Sequence, residues 1–149
     1  MNKIRIASLE DFVELYQIGK STPELKVSAT EDFMSEEEFK LAIQNPKGLF
    51  LISKNNERVN GFLYATTNDM EKSLEQKWAC IVYIAVLPEF QKLGYGKSLY
   101  NECEKQLKKR GITNIYCWAN GEDDGKVVEF MKKQGLKKGH QCIWMDKKL

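Results

Sequence analysis

Histidine occurs once, at His140, proline three times, and the four cysteines Cys80, Cys103, Cys117 and Cys142 form no C-x-x-C pair. No metal site is expected from so sparse a ligand set, and the cysteines read as separate reduced thiols. Long apolar runs are missing too. No segment approaches the roughly 18 to 20 apolar residues that a membrane span requires, and the opening "MNKIRIASLEDF" has no uninterrupted apolar stretch of the signal-peptide kind. A soluble, cytoplasmic protein that does not engage a membrane is the expectation. Charge of one sign is not in excess either: Lys+Arg 23 against Asp+Glu 21 gives +2, with the basic residues scattered among acidic ones. That balance argues against a dedicated nucleic-acid binder. The 149 residues, without internal repeat or low-complexity linker, suit one domain over residues 1–149.

The hydrophobic pattern gives an order of elements. Lys3 to Ala7 alternates charged with apolar residues as a strand, and Ser8 with Asp11 resembles a capping box that opens a helix carrying Leu9, Phe12, Leu15 and Ile18. After a loop from Ser21 to Thr30, Ser35 followed by Glu36, Glu37 and Glu38 starts a second helix that should stop before Pro46. "GLFLISK", "NNE" and "RVNGFLYATT" read as a hairpin, and "WACIVYIAV" as a central strand buried on both faces. The next helix places Leu99, Tyr100, Cys103 and Leu107 on one stripe, pairs Glu104 with Lys108, and ends at Gly111. "ITNIYCWAN" is a strand, "DGKVVEFMKKQG" a helix closed by Gly135, and "HQCIWMDKKL" a last strand. The fold class is α/β, with a mixed central sheet flanked by helices.

Between the apolar strand and the amphipathic helix lies a turn with two glycines, Gly94 and Gly96. A helix N-terminus offers unpaired amides and a positive partial charge, and glycine lets the backbone come close to an anion and adopt positive φ. Gln91, Lys92 and Lys97 stand ready to add donors or charge. By itself a G-x-G also fits a tight turn that binds nothing. The turn lacks the GK[ST] ending of a P-loop and the third glycine of the dinucleotide fingerprint. A phosphate ligand here should therefore belong to another class.

"VLPEFQKLGYGKSL" resembles the acyl-CoA-binding motif of the GNAT superfamily of N-acetyltransferases, V-x-P followed by Q/R-x-x-G-x-G/A, through Val86, Pro88, Gln91, Gly94 and Gly96. The order of elements is similar to that family as well, and so is the ending "EFMKKQGLKKGHQCIWMDKKL". The resemblance implies a GNAT-like acyl-CoA N-acyltransferase fold and acetyl-CoA as co-substrate. It implies that the amides of Gln91, Lys92, Leu93, Gly94, Tyr95 and Gly96, with Lys97 and Ser98, hold the pyrophosphate. Ile84, Ala85 and Val86 would offer backbone groups to the pantetheine arm, Asn120 would touch the cofactor, and Phe130 would pack against the pantetheine.

Acetyl transfer from a thioester to an amine needs a neutral amine, a donor for the developing oxyanion and a proton for the leaving thiolate. By resemblance the oxyanion donor is the Val86 N–H, and the general-base glutamate of several family members falls on Cys80, next to Trp78, Ala79 and Ile81. The family's general-acid tyrosine lines up with Met131, and an associated asparagine with Asp124. Substitutes for these roles are Tyr83, Tyr116, Glu75, Asp123 and Asp124. A lysine amine is about 2.5 pKa units, roughly 3.4 kcal/mol, harder to deprotonate than an α-amine. A site without a strong base therefore favours an α-amine, on a small molecule or on a peptide or protein N-terminus. Glu24, Glu31, Asp32 and Glu36 to Glu38 would form an acidic lip for a cationic acceptor, or simply a solvated helix face. The rival readings are a CoA-binding sensor or partner subunit without catalysis, and a nucleotide-phosphate binder. Monomer and homodimer are both compatible with the sequence. "LKKRG", "GLKKGH", His140, Trp118 and Trp144 read as surface or packing features.

Overall fold

The computed structural model describes residues 2–26, 28, 31–67, 77–119, 125–143 and 145–149. Strands β1 (Asn2–Ile6), β2 (Gly48–Asn55), β3 (Arg58–Thr66), β4 (Trp78–Val86) and β5 (Asn114–Cys117) form one sheet in the order β1-β2-β3-β4-β5. Neighbours are antiparallel except β4 and β5, which run parallel. Helices α1 (Phe12–Lys20) and α2 (Glu36–Gln44) cover one face, and α3 (Tyr95–Lys109) and α4 (Lys126–Lys133) the other. The mixed sheet with flanking helices agrees with the pattern of apolar periods.

Local chemistry explains the joints. β2 turns into β3 through Asn56 and Glu57, both at positive φ (48° and 67°), the signature of the tight turn whose twist suits a hairpin. Ser35 caps α2 by accepting from the Glu38 N–H at 3.3 Å, while the Glu38 carboxylate accepts from the Ser35 N–H at 2.9 Å. The Glu104–Lys108 pair forms on α3, as its spacing suggests. On the α1/α2 face Phe33, Phe39, Phe50 and Phe62 pack ring against ring, with Phe39 and Phe62 fully buried. On the other face Leu63, Ala65, Ile81, Leu99, Cys103, Leu107 and Met131 make the second core.

Two expectations are corrected. β4 is not buried throughout: Ala79, Cys80, Ile81 and Ala85 are, whereas Val82, Tyr83, Ile84 and Val86 are only half-buried. The strand buried along its length is β3, from Val59 to Ala65, because it has a full neighbour on either side. The last strand expected over "HQCIWMDKKL" does not form among the described residues; no element follows α4. Alternating apolar character prepares a segment to pair, but a ladder needs an edge to pair with. Trp144 lies outside the described residues.

Asp11 fixes the first strand to the first helix. Its carboxylate accepts from Arg5 Nη1 at 2.8 Å, Arg5 Nη2 at 2.6 Å and the Ser8 N–H at 2.9 Å, with Lys54 Nζ at 3.8 Å. The Arg5 hydrogen bonds, helped by Ser8 and opposed by burial, hold its pKa down at about 2, against an ordinary 3.8. A depressed carboxylate stabilises the fold above its unfolded pKa and loses that contribution as pH falls through the folded value. Asp11→Asn is therefore expected to cost about 2 kcal/mol in urea unfolding at pH 7. The gap to wild type should shrink between pH 4 and pH 2; a gap independent of pH would contradict the assignment.

Candidate active site

The site begins where two strands part. β4 and β5 pair from Trp78 with Asn114 to Ile81 with Cys117, and no further. At the same place the register of β3 against β4 slips: Ala65 faces Ile81 and Tyr64 faces Tyr83, so Val82 is an extra residue in β4. Beyond it β4 keeps β3 on one side and, among the described residues, has no strand on the other. The Leu87 N–H donates to the Asn60 carbonyl at 2.8 Å, so along this antiparallel pair the alternate residues, Ile84 and Val86, turn their N–H groups away from β3 and into the opening. The Val86 carbonyl, directed the same way, accepts from Gln91 Nε2 at 2.9 Å. Ala85 takes the other phase: its side chain is buried in the α1/α2 core and its polar backbone groups belong to the β3 ladder.

The opening leads into the N-terminus of α3. After a short 3-10 turn over Pro88–Phe90, Lys92 adopts φ +61° and Gly94 φ +89°. Lys92 thus takes one of the left-handed positions, at a cost of about 1–2 kcal/mol for a residue with a Cβ. Gly96 serves another purpose. A Cβ there would stand 3.3 Å from Phe130 Cε2 and 3.7 Å from Val86 Cγ2, so glycine lets α3, α4 and β4 meet. The Ser98 N–H makes the first helical bond, to the Gly94 carbonyl at 3.0 Å, and the amides of Tyr95, Gly96 and Lys97 precede it without a side-chain cap. Gln91, Lys92, Leu93, Gly94 and Lys97 are exposed around them. The Ser98 hydroxyl donates to the Gly94 carbonyl at 3.1 Å, inside the helix itself.

The β2–β3 hairpin braces this turn from outside, through residues that the sequence motif does not include. Arg58 Nη2 donates to Glu89 Oε1 at 2.7 Å, and its guanidinium lies 5.5 Å from the centre of the Phe90 ring. Phe90 meets Tyr95 edge-on at 5.7 Å, and the Tyr95 hydroxyl accepts from Asn55 Nδ2 at 3.1 Å. The two residues flanking the hairpin turn thus hold the entry and the exit of the glycine loop. As an exposed ion pair Arg58–Glu89 adds little stability; its effect is positional.

On the α1/α2 face, a cleft of about 470 Å3 is lined by Met34, Glu38, Leu41, Ala42, Asn45 and Tyr64. Tyr83 lies on this side, its ring 5.8 Å from Phe33. Burial, then the nearby Glu38 and Tyr64, raises its hydroxyl pKa above the ordinary 10. The Tyr83 hydroxyl therefore keeps its proton at neutral pH. Cys80 is buried in β4 opposite Thr66 and Tyr116, and Met131 is a core residue of α4, 3% exposed. Asn120, Glu75, Asp123 and Asp124 lie outside the described residues. Among the described residues no group of three or more His, Cys, Asp or Glu converges as metal ligands, and no helix is long and apolar enough to cross a membrane.

Residues 9–136 match the acetyltransferase (GNAT) family. Similar solved structures include an aminoglycoside acetyltransferase from an uncultured soil metagenomic sample, in complex with sisomicin. It is 18% identical, with TM-score 0.77 over 99% of this chain and 96% of that one. A transcriptional regulator from Bacillus halodurans C-125 is 18% identical, with TM-score 0.80 over 99% and 100%. AAC(6')-Iy, in complex with the bisubstrate analogue CoA-S-monomethyl-acetylneamine, is 14% identical, with TM-score 0.76 over 100% and 99%. At these identities the likeness is one of fold. No curated protein sequence matches the chain.

The glycine positions can be tested separately. Gly94→Ala is expected to weaken acetyl-CoA about tenfold through backbone strain, and Gly96→Val by at least as much through displacement of Phe130, both read as Kd by calorimetry. Unchanged affinity in both variants would remove the turn from the site.

Proposed function

The chain belongs to the GNAT acetyltransferase family, and from that premise we propose that it moves the acetyl group of acetyl-CoA onto the α-amine of a small molecule or peptide, by direct transfer in a ternary complex. The observation that carries this reading is the unpaired side of β4 running into the uncapped N-terminus of α3. An extended arm with a pyrophosphate at one end matches that sequence of donors. The amide-rich arm can pair with Ile84 and Val86 as a strand would, and the phosphates meet the amides of Tyr95 to Lys97 under the positive end of the helix dipole. Gly96 leaves the room that a side chain would fill, and Phe130 and Val86 bound it with apolar surface.

In the proposed chemistry the Val86 N–H donates to the oxygen that becomes negative as the amine attacks the thioester carbon. The carbon–nitrogen bond forms, the carbon–sulfur bond breaks, Tyr83 gives its proton to the departing thiolate and regains one from solvent, and the proton of the attacking nitrogen passes to solvent. β4 carries no carboxylate to take that proton, which is why an amine that is partly neutral near pH 8 is the better acceptor. Glu38 supplies negative charge at the cleft; its Oε2 accepts from the Ser35 N–H. Structural neighbours that act on aminoglycosides support a small amine-bearing acceptor over a folded protein. The rival reading, CoA binding without catalysis, draws on Cys80 and Met131 standing where the family resemblance places a base and an acid, respectively.

Thiol release from acetyl-CoA across a panel of α-amines, lysine side-chain amines and aminoglycosides decides between them. Turnover with α-amines preferred over lysine side chains is the expected result; tight CoA binding without turnover on any amine would establish the rival. Tyr83→Phe should lower kcat by about 100-fold or more while leaving the KM for acetyl-CoA within about threefold. Equal kcat in the two proteins would remove Tyr83 from the proton path.

A further inference from the structure

Along α2, Glu38 is followed one turn later by Leu41 and Ala42 and two turns later by Asn45, so the four residues share one stripe of the helix. Together with Met34 and Tyr64, that stripe lines the cleft of about 470 Å3. Its chemistry changes along its length. Glu38 is the one charged side chain among the described residues that line the cleft. Its carboxylate is held from behind, where Oε2 accepts from the Ser35 N–H at 2.9 Å and from the Ser35 hydroxyl at 3.0 Å. Past Glu38 the wall is apolar, and Leu41 is 67% exposed, open to a ligand. At the far end Asn45 is already engaged: its Nδ2 donates to the Tyr64 hydroxyl at 3.0 Å and to Thr66 Oγ1 at 3.3 Å, and its Oδ1 accepts from the Lys47 N–H at 3.0 Å. Neighbouring carboxylates that could draw a second cation face lysines instead. Asp32 stands 3.8 Å from Lys26, Glu36 4.0 Å from Lys40 and Glu24 4.0 Å from Lys126.

We propose that the preferred acceptor is an α-amino amide or short peptide whose first side chain is large and apolar, selected by the pairing of one carboxylate, Glu38, with the apolar wall of Leu41, Ala42 and Met34. The inference rests on reading this cleft as the acceptor's. Glu38 draws in the ammonium, and the side chain of the acceptor lies on the apolar stretch beyond it. Glu38 is also close enough to Tyr83 to help raise its hydroxyl pKa, so the amine end of the acceptor is the end nearer β4. A carboxylate on the acceptor would stand beside Glu38 with no Lys or Arg among the described lining residues to meet it, which disfavours a free amino acid. A second ammonium finds no second carboxylate in the cleft, which disfavours polyamines and polycationic sugars.

Leucinamide, glycinamide, lysinamide and the α-amide of glutamate share one reacting group and differ only in the side chain. Their Kd values are measured by calorimetry on the full chain saturated with CoA, which has no acetyl group to transfer. Leucinamide should bind about tenfold or more tightly than glycinamide, and the lysine and glutamate amides no more tightly than glycinamide. Leu41→Gln changes an exposed helical position and should keep the circular dichroism of the wild type while bringing leucinamide to within about threefold of glycinamide. Glu38→Gln should weaken leucinamide and glycinamide alike and leave their ratio unchanged. Leucinamide that binds no more tightly than glycinamide, or not at all, would overturn the proposal, as would a preference that survives Leu41→Gln. Selective binding of leucinamide without acetylation of any amide would instead refute acetyl transfer and leave the selectivity of the cleft standing.

Discussion

The separation of β4 from β5 after Ile81 is the constraint on which the rest of the site depends. A strand inside a sheet satisfies its backbone on both sides, whereas the outer side of Ile84 and Val86 meets no strand among the described residues and the Val86 carbonyl there accepts from the Gln91 side chain instead. The protein tolerates this because β3, enclosed on both sides and buried from Val59 to Ala65, holds the other side of β4 in place. The extra residue at Val82 starts the departure, so one irregularity both ends the β5 pairing and changes the phase with which β4 meets its neighbour. The opening is thus built into the sheet and requires no movement to form.

The helix that follows converts that opening into a polarised slot. Apolar burial of Leu99, Cys103 and Leu107 fixes α3 against the sheet, which aims its uncapped N-terminus at the end of β4. The left-handed turn at Lys92 and Gly94 lets the chain reverse within a few residues, and Gly96 keeps the junction with Phe130 close. The strain at Lys92 is held by the brace from Arg58 and Asn55, whose contacts reach both ends of the loop. The cleft beside Glu38 and the Tyr83 ring lie on the other face of the sheet, and in the proposed reading the acceptor enters there, so donor and acceptor would approach β4 from different sides.

Much of this was legible in the sequence where the signal is local. The capping boxes at Ser8 and Ser35, the stripe Leu99–Tyr100–Cys103–Leu107 and the phrase from Val86 to Gly96 each carry their meaning within a few residues, and elements and motif were found through them. The family is evident from the same phrase. What could not be read depends on contacts distant along the chain. Arg58 and Asn55 look like ordinary residues beside a turn until the fold brings them to Glu89 and Tyr95. The length of "WACIVYIAV" suggests burial on both faces, but only the short reach of β5 reveals that half of it is open. "HQCIWMDKKL" has the composition of a strand, and composition does not name its partner.

Amide hydrogen exchange, followed residue by residue with and without CoA, tests the central claim most directly. Slower exchange confined to Ile84, Val86 and Tyr95 to Lys97, with Ala85 unchanged because its N–H already belongs to the β3 ladder, is the predicted result. Exchange at Ile84 and Val86 that is already slow without CoA, or that does not respond at saturating CoA, would contradict the assignment of the open side of β4 as the acyl-CoA seat.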